Sequence, residues 1–456
     1  MSVATLPPRT RVSAAALALS AVALGHALEV ASGHVHPSAI VWLCAAIALA
    51  AVGVAAPARL GFLDGERPLV AVLSAALAIE LGEHFWKPPG AAAPFLDPAT
   101  LRPFHLGIVA AGALVAAIAL GPPRLRRLAV PSLLALHAAL GVWLLRTSPS
   151  PHIDVFAIHR ESLDALLRGA NPYALTFRNI YSSTVMYGPE QLAGGRLNFG
   201  YCYPPLDLLV ALPGHLAGDY RLSFLAAMTL SGALVAFSRP GRVAPLAAAL
   251  LLFTPRGFYV LEHGWTDPVA ALALSATVFA ALRAPRLLPL ALGALLASKQ
   301  YSILVVAPAA ALLLHGRWRD GLRALLVAAA ITLPFLLWAP RAFVWSVGLL
   351  QLYSPFRPDA LSLLAFVASI GGPRLPSVVG FAAALPATVL GLARGARTAA
   401  GFAAASALAL LAFFAFNKQA FCNYYFLCIA ALAAAVAAAP IAATDGVSDP
   451  AARRRG

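Results

Sequence analysis

The sequence predicts an all-α polytopic membrane protein, a transmembrane helical bundle of about fourteen spans with a large extracytoplasmic loop carrying short interfacial helices. Three observations carry this. The 456 residues are 61% hydrophobic and only 11% charged, against about 25% charged in ordinary soluble domains. Apolar runs of about 20 residues, long enough to cross roughly 30 Å of hydrocarbon, recur along almost the whole chain. The basic residues sit in short Arg clusters between those runs, which is the topology signal of a membrane protein. A formal net charge of +15 invites a nucleic-acid reading, but the Arg residues form no face or tail, and that class is excluded.

Taken in order, the apolar runs lie near 12–31, 38–56, 68–86, 105–121 and 127–145. After a polar loop come 203–218, 220–237, 243–260, 265–283, 286–298, 301–315, 321–338, 376–392, 398–416 and 422–440. Arg9 and Arg11 precede the first run, which reads as an uncleaved first helix because further spans follow. Arg59/Arg67 and Arg124/Arg126/Arg127 then alternate as cytoplasmic, and the loop 146–202 falls outside. Parity of the remaining clusters, Arg239/Arg242 through Arg453–Arg455, holds only if 203–218 does not cross. That segment opens with Pro204-Pro205 and carries Asp207, and an acid at the bilayer centre costs about 2.5–3.5 kcal/mol on insertion scales. It reads as an interfacial segment, and 360–371 as a short outer helix. Both termini are then cytoplasmic, with a disordered tail over 441–456.

With this topology the distinctive polar residues share the extracytoplasmic side: His152 and Asp154, Asn171-Pro172-Tyr173, Tyr203-Pro204-Pro205, Glu262 to Asp267, Lys299-Gln300-Tyr301, the stretch from Arg341 to Asp359, and Asn417-Lys418-Gln419 with Asn423-Tyr424. The chain's lysines are only Lys87, Lys299 and Lys418, and all fall on this side. The cytoplasmic loops are short and basic. Chemistry is therefore expected outside.

An acidic motif in the first large outer loop, then N-P-Y, then Y-P-P-L, then K-Q-Y between two short helices resembles the GT-C glycosyltransferase superfamily. It is most similar to glycosyltransferase family 87, the polyprenyl-phosphate-sugar-dependent mannosyltransferases. The resemblance covers roughly residues 127–440, so that 1–126 would be four accessory helices preceding a catalytic core. It implies a monosaccharide carried from a polyprenyl-phosphate donor to a lipid or glycan acceptor at the cell membrane. Asp154 would be the general base. Asn171, Tyr173 and Tyr203 match the family's turn elements, Lys299 its basic residue near the donor phosphate, and Asp267 a position that is often polar. Asp154 lacks an adjacent second acid, so a metal-dependent paired-carboxylate site is not indicated and no cofactor is expected.

The chemistry itself asks for the same residue types. A carboxylate within about 2.6–3.2 Å of an acceptor hydroxyl can take its proton. Cations must meet the charge that develops on the departing phosphate, and Lys299, Arg341, Arg357 and Lys418 are the candidates, with Gln300 and Tyr301 beside Lys299. The competing class is a transporter or lipid flippase, which would show polar residues spread through the bilayer and internal repeats.

Other features read more plainly. His152 and His159 are expected as solvated loop histidines, and Asp207 as a satisfied interfacial acid. The four cysteines, Cys44, Cys202, Cys422 and Cys428, show no metal spacing and are expected unpaired, although Cys202 and Cys422 share the outer side. Glu80 and Glu83 lie one turn apart on one face of the third span and have no assigned role.

Overall fold

The computed structural model describes residues 12–56, 58–87, 89–91, 96–181, 186–314 and 317–441. The tail 442–456, Arg9 and Arg11 lie outside the described residues, as does the side chain of Arg59. The chain is mostly helical. Five helices come first: α1 (Ala14–Val30), α2 (Pro37–Ala55), α3 (Glu66–Trp86), α4 (Pro98–Leu120) and α5 (Pro123–Thr147). The loop then carries α6 (Asp154–Leu167), and α7 (Pro205–Leu216), α8 (Arg221–Ala236), α9 (Val243–Leu252) and α10 (Gly257–Glu262) follow. Next are α11 (Asp267–Arg283), α12 (Leu288–Leu296), α13 (Val306–Leu313), α14 (Trp318–Trp338), α15 (Pro340–Phe343), α16 (Leu350–Tyr353) and α17 (Leu363–Ser369). The chain closes with α18 (Val378–Arg394), α19 (Ala399–Ala415) and α20 (Cys422–Ala438).

Five of these helices, α2, α3, α4, α5 and α14, are long and apolar enough to cross a membrane by length and composition. The other apolar helices run 10–17 residues. Every residue of α9 and α19 is buried, while α14 and α18 expose rows of leucine, valine and phenylalanine. A hydrophobic exterior around a fully enclosed interior is what a chain solvated by lipid requires. The N-terminal helices join this interior: α1 packs against α2, α3 and α20, and α2 against α18 and α19.

Proline decides where the expected runs depart from single helices. The 243–260 run is broken at 253–256 into α9 and α10. Pro255 has no amide hydrogen to continue the ladder, and Arg256 adopts a left-handed φ of 64°. The 301–315 run opens as a 3-10 turn, Gln300–Val305, before α13, with Pro308 in the first turn of that helix. Pro204 and Pro205 start α7, where a missing amide costs nothing. The helix is 12 residues long, about 18 Å at the usual rise. A short helix, α17, falls within the 360–371 stretch where one was expected.

The loop between α5 and α7 holds an element that hydropathy does not signal. β1 (Phe177–Arg178), β2 (Leu192–Ala193) and β3 (Arg196–Leu197) form an antiparallel sheet in the order β1-β3-β2, with Leu197 opposite Phe177 and Leu192. The return strand is clamped by a π-turn over Val344–Leu349. The Gly200 amide donates to Ser346 Oγ at 2.9 Å and Trp345 Nε1 to the Asn198 carbonyl at 2.6 Å. A β-carbon at Gly200 would stand 2.1 Å from the Tyr173 carbonyl oxygen, a backbone atom that cannot swing away. Gly200→Ala should therefore cost about 1–3 kcal/mol, the usual range for overpacking, read as a lowered thermal midpoint of the purified protein; an unchanged midpoint would show that the loop relaxes freely.

Candidate functional site

The site forms where helix ends meet. Asp267 is the first residue of α11, Asn423 lies in the first turn of α20, and Lys299 precedes the 3-10 turn that leads into α13. Lys299 Nζ lies 3.2 Å from Asp267 Oδ2, and Asn423 Nδ2 donates to the same oxygen at 2.8 Å. The Tyr301 hydroxyl donates to Asp267 Oδ1. Lys299 also lies over the Tyr203 ring, 4.7 Å from its centroid, and 5.5 Å from that of Tyr301. Asp267 is 0% and Lys299 4% exposed, so each charge survives burial only because the other is there.

Lys299 and Tyr203 border a cavity of about 460 Å³. Its lining includes the polar side chains of Lys299, Gln300, Lys418, Gln351, Gln419 and Ser354, the apolar ones of Ile303, Leu304, Leu352, Val378, Phe381 and Phe413, and the rings of Tyr203, Tyr301 and Tyr424. Gln300 is fixed by donating to the carbonyls of Cys202 and Val347 at 2.8 and 3.2 Å. Lys418 Nζ donates to the carbonyls of Ser354 and Leu352, and partial burial lowers its pKa. An ammonium carries three donors. Lys299 spends one hydrogen bond on Asp267 among the described residues, which leaves donors for an anionic ligand.

Of the residues singled out in the sequence, Tyr203, Lys299, Gln300, Tyr301 and Lys418 line this cavity, and Asp267 sits directly behind it. Asp154, Asn171, Tyr173, Arg341 and Arg357 do not. Arg341 is exposed in α15. Arg357 is bound to Asp359 at 2.8 Å and stacks over Phe421 at 4.7 Å. Burial opposes ionisation of Asp359, but the hydrogen bonds and charge of Arg357 outweigh it and hold that carboxyl below its ordinary range.

The N-P-Y turn is scaffolding for Tyr203. Asn171 Oδ1 accepts from the Tyr173 amide at 2.9 Å, the Pro172 carbonyl accepts from Tyr201, and the Tyr173 hydroxyl donates to the Tyr203 carbonyl at 2.9 Å.

Asp154 opens α6, where the helix dipole favours a negative charge. Its carboxylate accepts from the hydroxyls of Tyr181, at 3.3 Å, and Tyr187. Burial, then the adjoining carboxylate, raise both phenols above the ordinary tyrosine range, so both stay protonated and donating. Cys202 and Tyr203 lie within electrostatic reach of Asp154 and of the Lys299–Asp267 pair. Burial pushes the Cys202 thiol up to about 12, which removes it as a nucleophile. All four cysteines are free, as expected.

Two expectations are corrected. His159 is not a solvated loop histidine but is fully buried, stacked on Tyr220 at 4.9 Å between ring centroids, with Nε2 2.8 Å from the Tyr201 hydroxyl. Asp207 is not at an interface but fully buried, because the first turn of α7 faces inward, towards Thr266 and the charge of Lys299. Tyr181, Tyr187 and Ser354 were not anticipated. They sit in irregular loops, where no periodicity marks a side chain's direction.

Comparison with models of known protein families, with curated proteins and with solved structures finds no match.

Two predictions follow from the geometry. Lys299→Met should destabilise the protein by about 3–5 kcal/mol, the usual cost of leaving a buried charge alone. Lys299→Met with Asp267→Asn should restore most of that in a double-mutant cycle of denaturant unfolding; additive losses would mean the pair is not coupled. His159, pushed down to about 3 by burial against 6.5 unfolded, stays neutral in the fold. Its contribution is whole above about pH 6.5 and is lost progressively towards about pH 3. The thermal midpoint of His159→Gln should thus fall less steeply than the wild type's between about pH 6.5 and pH 5, and equal slopes would refute the assignment.

Proposed function

We propose that this protein is an integral membrane glycosyltransferase that moves a mannose-like monosaccharide from a polyprenyl-phosphate donor to an extracytoplasmic acceptor hydroxyl. In this reading about fourteen segments span the membrane, both ends are cytoplasmic, and the cavity opens on the outer side. One observation carries it: a single cavity is lined by two lysines, Lys299 and Lys418, and by the apolar side chains of Leu304, Val378, Phe381 and Phe413. That lining fits a ligand with a phosphate at one end and hydrocarbon at the other.

The chemistry follows from the side chains. Lys299 and Lys418 act as point charges on the departing phosphate. Gln300 and Tyr301 orient it, and Tyr203 and Tyr424 offer faces to the sugar. Asp154 takes the acceptor proton. Asp154 lies within electrostatic reach of Cys202 and Tyr203, and in this reading the acceptor comes from the loop side and the lipid donor from the bundle side.

The test is full-length protein in vesicles with labelled polyprenyl-phosphate monosaccharide and hydroxyl acceptors. Transfer should occur and should fall about 10²–10⁴-fold in Asp154→Asn, the usual worth of a general base. Undiminished transfer by that variant removes Asp154 as the base. Movement of the lipid across the vesicle without transfer replaces the enzyme by a lipid transporter.

A further inference from the structure

Away from the cavity, the N-terminal helices enclose a second polar cluster. Glu80 on α3 is fully buried, and neither carboxylate oxygen has a hydrogen-bond partner among the described residues. A β-carbon at Gly25 of α1 would lie 3.2 Å from Glu80 Oε1 and 3.3 Å from Thr254 Oγ1. The glycine thus makes the space into which both groups reach, and the Thr254 hydroxyl is also without a partner there. Thr254 sits at the break between α9 and α10, beside Pro255 and the left-handed Arg256. Broken helices packed on buried acids are a recurring setting for ions inside membrane proteins.

The neighbouring charges are matched. Arg256 Nε lies 3.0 Å from Glu29 Oε2. His26 Nδ1 contacts Glu83 Oε1. Lys87 Nζ donates to the Glu29 and Val30 carbonyls at the end of α1. Further titratable groups on the elements packed here include Glu66, Arg67 and His84 on α3, His84 bonding the Phe253 carbonyl at 3.0 Å, Arg102 and His105 on α4, and Arg124, Arg126, Arg127, Arg146 and His137 on α5, His137 bonding Thr229 at 3.0 Å. None supplies a counter-charge to Glu80. An isolated carboxylate in a dry interior is strongly disfavoured and neutralises instead.

We propose that Glu80 is a proton-binding site inside the N-terminal helices that exchanges with water through Glu83 and His26. Glu83 follows one turn later on the same face. Its side chain is 13% exposed and that of His26 35%, so the pair reaches the boundary that Glu80 does not. In the loading step a proton passes from water to the Glu83–His26 pair and on to a Glu80 oxygen, leaving a neutral carboxyl; no electrons move. A proton fits better than a metal ion, because one carboxyl and one hydroxyl converge over Gly25 and, among the described residues, no group of three or more His, Cys, Asp or Glu is placed to hold a metal.

Infrared spectroscopy of the full-length protein in lipid tests this. At about pH 8, where a solvated glutamate has long lost its proton, the wild type should show a protonated-carboxyl C=O band that E80Q lacks. In deuterated water that band should shift several-fold more slowly in the H26A/E83Q double variant. No band in the wild type, a band unchanged in E80Q, or a band abolished by sodium ions overturns the proposal. Exchange at the wild-type rate in the double variant overturns the route. Should E80Q fail to fold, E80D, which keeps the acid, must move the band's frequency; an unmoved band is equally fatal.

Discussion

The arrangement hangs on a buried ion pair. Asp267 opens α11 while Lys299 stands in extended backbone ahead of the 3-10 turn before α13, and neither is tolerable in an apolar interior without the other. Once paired, they recruit Tyr301 and Asn423 to complete the hydrogen bonding of the carboxylate. Four stretches of chain, the starts of α11 and α20, the 3-10 turn after α12, and Tyr203 stacked beneath the ammonium, are held in register by one set of contacts. The pair is weak evidence for stability in itself. It specifies geometry instead: any slip of α11 against α20 would strand a charge.

Helix ends are what make such a pair possible, and proline supplies many of them. Uninterrupted helices would carry only side chains into the interior. Breaks at Pro204-Pro205, Pro255 and ahead of Pro308 bring backbone polar groups and helix N-termini inside, where irregular backbone is tolerated only in a protein-lined setting. The cavity lies at such ends, and its polar groups are largely held by carbonyls that regular helices would have consumed, as Gln300 and Lys418 show.

The helical class and nearly every helix were legible in the sequence, because a 20-residue apolar run admits few alternatives. Lys299 was legible for a related reason: a lysine between two short apolar runs demands a partner. That its partner would be Asp267, more than thirty residues away, was not legible, since tertiary pairing leaves no local trace. The N-P-Y and Y-P-P elements were visible as a motif, but not that the first holds the carbonyl of the second while Tyr203 of the second lines the cavity. The burial of His159 was missed because its loop reads as polar, although α6 packs that histidine against Tyr201 and Tyr220. The break at 253–256 could have been read from Pro255 within a long apolar run. The grip of Tyr181 and Tyr187 on Asp154 had no signal.

The segment between that break and α11 ties the two polar sites together. It begins at Thr254, which faces Glu80, and ends at Thr266-Asp267, which faces Lys299. Between them α10 is fastened from outside: Arg221, fully buried, bonds Asp219 at 2.7 Å and the Glu262 carbonyl at 2.8 Å, and lies over Phe156 of α6. Gly264 adopts φ 66° in contact with the Tyr220 hydroxyl, where a β-carbon would have no room. A segment pinned at both ends and in its middle transmits displacement poorly unless it moves as a body. Neutralising or charging Glu80 would act on the end that carries Arg256, and the natural lever arm is α10 as a whole. The extra N-terminal helices are then part of the machinery that sets where Asp267, and with it Lys299, stands.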